Sequence, residues 1–158
     1  MTAHRVAAAL AAVSMLAATP AQAATSSQAE GLRRLDIMLM VTGLRCRTTA
    51  DNFQADYGRF TTKHYPELQA AALTMKADFA KRYGAAGANR ALDKLSVQMA
   101  NEYGQGHPWL DCSQLKQVTR GLATSEGSAA LVDASRKLLQ RSGSPQMALA
   151  ALARPNRI

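Results

Sequence analysis

The densest run of chemically capable side chains is Glu102-Tyr103-Gly104-Gln105-Gly106-His107-Pro108-Trp109-Leu110-Asp111-Cys112. If a helix opens at Pro108, His107 and Asp111 face each other about one turn apart. A histidine whose ring is oriented by a carboxylate acts as a general base or a metal ligand. Two glycines and a proline give the stretch an unusual backbone path, and Trp109 offers an anchor surface for a partner. The same letters also serve structural ends: His107 as a cap-like residue, Trp109 as a lid on the core, and Asp111 as a first-turn acid favoured by the helix dipole. The binding candidates are Glu102, His107, Trp109 and Asp111, and no residue is assigned as catalytic.

Other chemistries leave fainter traces. A small cell-wall hydrolase would draw on Glu67 or Glu102 together with His107, since sugar hydrolysis needs two proton-handling groups across the scissile bond. No Gly-x-Ser-x-Gly turn presents a nucleophile. Beyond the first 23 residues only His64 and His107 remain, neither with a partner at zinc-site spacing, so no metal is expected. Met38, Met40, Met75 and Met99 fall on apolar stripes, where methionine packs rather than ligates, and no cofactor is expected. Phosphate-binding glycine loops and acidic calcium loops are absent, and no family of known activity is matched by its motifs.

Residues 1–23 set the compartment in which these groups are read. His4 and Arg5, an apolar run from Val6 to Ala18, and the small-residue sequence Ala21-Gln22-Ala23 fit a secretory signal peptide cleaved after Ala23. The expected location is periplasmic or secreted, with no transmembrane anchor in the mature chain. The whole chain carries a formal charge of +8, and Arg5 is the one Lys or Arg in the leader. An exported basic chain meets an envelope protein or an anionic envelope surface rather than nucleic acid. Cys46 and Cys112 are the two cysteines, and an even count in an oxidising compartment favours one disulfide. That bridge would close a loop of about 66 residues, worth on the order of 4 kcal/mol in the chain-entropy model.

The elements that would position these groups are helices, because apolar residues recur at spacings of three and four with little strand-type alternation. The expected fold is all-α, a single-domain bundle of five to six helices over residues 24–143, followed by a C-terminal tail at 144–158 that nothing forces into order. A first helix over residues 28–47 carries Leu32, Leu35, Leu39, Thr42 and Cys46 on its inner face. Asp51 is the expected cap of a second helix bearing Phe53, Tyr57, Phe60 and His64. A third runs from Pro66 to Gly84, or continues the second across a kink. A fourth spans Ala88 to Tyr103, a fifth opens at Pro108, and a sixth is capped by Ser125 or Ser128 and stops near Gly143. The third and fourth end alike, Phe79…Tyr83-Gly84 and Met99…Tyr103-Gly104, a common way to stop a helix. Because the aromatics concentrate between Phe53 and Trp109, the best-specified core is expected from helices two to four, with the first closing over it.

Overall fold

The first ordered turn is set by Thr25, whose hydroxyl accepts the Gln28 N–H while the Gln28 side chain accepts the Thr25 N–H. This reciprocal capping box satisfies two otherwise orphaned donors and starts α1, Ser26–Cys46. The computed structural model describes residues 25–139, so the leader, the tail after 143 and the stop near Gly143 lie outside the described residues. Four further helices follow: α2 (Gln54–Lys63), α3 (Tyr65–Glu102), α4 (Cys112–Thr124) and α5 (Gly127–Leu139). The fold is an all-α bundle, with no strand among the described residues.

Helix α1 lies at the centre and touches each of the other four helices. It buries Ala29, Leu32, Leu35, Ile37, Met38, Leu39, Thr42 and Cys46. This corrects the expectation that helices two to four build the core and α1 covers it. The physical reason is size. A Cβ added at Gly43 would come within 3.3 Å of the Phe53 ring, and one at Gly31 within 3.1 Å of the Ser135 hydroxyl. Small residues on α1 admit neighbours on several sides; Phe53 packs against Gly43, and both Phe53 and Phe60 are fully buried. Each such side chain contributes roughly 1.5–3 kcal/mol by leaving water. Tyr65 and Tyr83, placed in the core by aromatic counting, are instead exposed.

The starts of α2 and α5 differ from expectation, and the junction between α2 and α3 agrees with it. Asp51 does not cap α2: Phe53 occupies the cap position without a side-chain bond, and Asn52 Oδ1 accepts the Gln54 N–H. Helices α2 and α3 are separate, joined at His64, with Pro66 in the first turn of α3 where a missing N–H costs little. Helix α5 begins at Gly127, whose φ of +75° only glycine adopts readily, and Ser125 instead ends α4 by bonding back to Leu122 O.

Inside α3 the chain breaks at Gly84, with φ 71° and ψ 166°. The stop expected there is real, and the rod resumes immediately. Ser26 at the start of α1 meets Asp78 before the break, and Arg33 reaches Ser96 after it. The two helix endings that look alike in sequence are not equivalent. Tyr83 is exposed and Gly84 has a positive φ, whereas Tyr103 is buried and Gly104 has none.

Candidate functional site

The loop from Tyr103 to Asp111 descends from α3 in a tight path. Gly104 N–H bonds to Asn101 O at 3.2 Å, and Gly106 N–H to Tyr103 O at 2.9 Å. Gly106 takes φ +109°, and Arg45 of α1 reaches across to donate to Gly104 O at 2.9 Å. His107 then turns inward. Its Nε2 lies 3.1 Å from Leu138 O, in the last turn of α5, and its Nδ1 faces the N–H groups of Leu110 at 3.2 Å and Trp109 at 3.4 Å. Facing donors, Nδ1 must present a lone pair, so the ring is neutral with its proton on Nε2, donated to Leu138. Burial holds the His107 pKa below the ordinary histidine value, although the bond to Leu138 works against that shift. Tyr103 stacks on one side of the imidazole at 6.2 Å, and Trp109 meets it edge-on at 4.7 Å.

Asp111 does not face His107. Helix α4 begins at Cys112 rather than Pro108, which makes Asp111 the cap: its Oδ1 accepts the Gln114 N–H at 2.8 Å while Gln114 Oε1 accepts the Asp111 N–H at 3.0 Å. Glu102 is likewise occupied, paired with Arg34 of α1, which also bonds Glu30. Burial alone would lower the Arg34 pKa, but Glu102, Glu30 and their surroundings more than offset it and hold the guanidinium firmly charged. Glu67 sits one turn from His64, with Oε1 4.0 Å from His64 Nδ1 and Oε2 buried without a partner among the described residues. Neither Glu67 nor Glu102 is hydrogen-bonded to His107. The two histidines play matching parts: fully buried His64 places Nε2 2.9 Å from Leu122 O, in the last turn of α4.

Trp109 is half-buried and packs on the core, with its indole N–H buried and unpartnered among the described residues. No protein-family model, curated protein or solved structure matches the chain.

Cys46, at the end of α1, and Cys112, the first residue of α4, form the disulfide with Cα atoms 5.7 Å apart. It joins the central helix to α4. No cluster of metal-ligating side chains occurs among the described residues. No helix among them is long and apolar enough to cross a membrane.

Two features were not visible in the sequence pattern. Asp36 on α1 accepts the Tyr57 hydroxyl at 2.9 Å and lies 3.7 Å from Arg33, which bonds Ser96. Burial raises the Asp36 pKa against the opposing effects of Tyr57 and Arg33, and burial together with Asp36 raises that of Tyr57. This network pins α1 to α2 and α3. An open cleft of about 460 Å³ lies between the start of α1 and α5, bordered by Thr25, Gln28, Glu30, Arg34, Ser135 and Arg136. Its signal in sequence is a spacing across more than a hundred residues, which helical periodicity does not encode.

Proposed function

We propose that this chain is an exported, non-catalytic binding module of the cell envelope, engaging an envelope protein or an anionic envelope surface. The observation that carries the reading is the occupation of His107. Both ring nitrogens bond backbone groups, so the histidine that lies in sequence between Glu102 and Asp111 is not oriented by either acid. Glu102 and Asp111 are committed to Arg34 and to the cap of α4. What remains for a partner is charge and shape. The chain has 19 Lys and Arg against 11 Asp and Glu, and several of those cations pair with no acid among the described residues, Arg47, Lys76, Arg90 and Lys94 among them. Export is supported by the leader pattern of residues 1–23 and by a disulfide that suits an oxidising compartment.

Native mass spectrometry of the chain recovered from its own host's envelope fraction without reductant tests the reading. The expected species is cleaved after Ala23, oxidised, and carries a partner lost on denaturation. Turnover of cell-wall material, lost in Glu102→Gln or Glu67→Gln with folding retained, would replace binding by hydrolysis. Trp109→Ala separates the loop from the rest of the surface: unchanged partner capture removes Gly104–Asp111 as the contact.

A further inference from the structure

Six consecutive residues of α3, Lys81 to Ala86, are all exposed. On a helix lying against a bundle, exposure recurs every three or four residues, because one face is always covered. An unbroken run of six means that the whole circumference stands in solvent. The Ser26–Asp78 bond places residue 78 level with the start of α1, so the turn beyond it runs past the end of the central helix. The return segment rejoins the bundle at Ala88, which is fully buried. The break at Gly84 is therefore a projecting tip.

The tip has a defined shape and a one-sided charge. Gly84 sits at φ 71° and ψ 166°, a region that side-chain-bearing residues avoid, and a Cβ on Gly87 would fall 2.9 Å from the Tyr83 Cβ. These two glycines let the chain turn and leave room for Tyr83. That ring is 60% exposed and is braced at 6.1 Å by Phe79. From Phe79 to Leu92 the sequence holds Lys81, Arg82 and Arg90 and no acid. Asp78 at its edge is engaged by Ser26 and Lys81. Basic side chains around a projecting tyrosine match a bilayer surface of anionic phospholipid: the cations meet the phosphates, and an amphipathic ring rests at the headgroup level. Ala85 and Ala86 add little apolar bulk, so attraction is electrostatic and insertion shallow.

We propose that the Lys81–Arg90 tip of α3 is the surface by which this chain docks on anionic phospholipid headgroups. The inference rests on the envelope-binding reading and gives it a location and a partner.

The test is co-sedimentation of the chain recovered from expressing cells with phosphatidylglycerol-containing vesicles, against vesicles of phosphatidylcholine alone. Binding is expected for the first only and should disappear at high salt, where exposed charges are screened. Each basic residue near such a surface is worth roughly fivefold in partitioning, so Arg82→Ala/Arg90→Ala should bind about 25-fold more weakly with an unchanged thermal midpoint. Tyr83→Trp should show a blue-shifted emission on anionic vesicles, while Trp109 of the natural chain does not. Binding that is indifferent to the arginine pair, with a silent Tyr83→Trp, overturns the tip and leaves envelope binding standing elsewhere. No vesicle binding, with a protein partner still captured from the envelope, overturns lipid as the occupant. Neither binding nor capture overturns both readings.

Discussion

Opening the Cys46–Cys112 bridge should be the most damaging small change to this fold. The bridge spans 66 residues, and by the chain-entropy relation a closed loop of that length restricts the unfolded chain by about 4 kcal/mol. A domain of this size has roughly 5–15 kcal/mol in total, so the loss is large without being lethal at room temperature. The location sharpens the expectation. Cys46 ends the central helix, and Cys112 begins the helix whose cap closes the Tyr103–Asp111 loop, so the bridge ties the α4 end of that loop to α1, next to the Arg45 that bonds Gly104 O. Urea unfolding followed by far-ultraviolet circular dichroism should show Cys46→Ala/Cys112→Ala less stable than the oxidised chain by about 4 kcal/mol. Its m-value should be larger, because an uncrosslinked unfolded chain exposes more surface. A stability difference under about 1 kcal/mol, with the bridge confirmed by mass, refutes the entropic argument and implies an unfolded state that already holds residues 46 and 112 together.

His107 gives a pH dependence with a definite sign. Its folded pKa lies below the ordinary value, so the unfolded chain takes up the proton first, and stability present above about pH 6.5 is lost as the pH falls through that region. Chemical unfolding between neutral and mildly acid pH should show this slope, and His107→Gln, which keeps a donor for Leu138 O, should flatten it. Asp36 acts oppositely and lower, in the carboxylate range, because its folded pKa is raised. Gly84→Ala should cost about 1–3 kcal/mol for its strained backbone, read as a lowered thermal midpoint; an unchanged midpoint would mean that the break relaxes.

Much of the fold is legible in the sequence, and the differences have two causes. Apolar spacing locates α1, α3 and its interruption at Gly84, and the parity of the cysteines finds the bridge. Expected and observed helix starts differ where two signals compete. Pro108 is a good first helical residue, but Asp111-x-x-Gln114 is a capping box, and two satisfied backbone donors outweigh a favourable φ. That shift of four residues turns Asp111 from a partner for His107 into a cap, and with it goes the His–carboxylate geometry. The same pattern, Thr25-x-x-Gln28, marks the true start of α1. Aromatic counting misplaced the core because closeness of approach depends on the small residues of α1, whose effect appears only once Phe53 and Ser135 are seen against Gly43 and Gly31.

The two histidines explain why letters that promise chemistry serve structure here. The last carbonyls of a helix have no intrahelical donor, and a buried one left unpaired costs about 1–3 kcal/mol. His107 meets Leu138 O near the end of α5, and His64 joins the Ser125 N–H and hydroxyl at Leu122 O near the end of α4, each histidine reaching from a distant part of the chain. Both C-terminal helices are thereby fastened to the junctions before and after α3. To act as a base beside Glu102 or Asp111, His107 would have to release Leu138 O, the Leu110 N–H, or both, and a rotation of the ring would break its contact with Trp109. The loop is thus held from both sides by bonds that catalysis would need to break, while the break in α3 is held open by two glycines and, among the described residues, is bonded to nothing beyond its own segment. The proposed envelope docking draws on the second kind of surface.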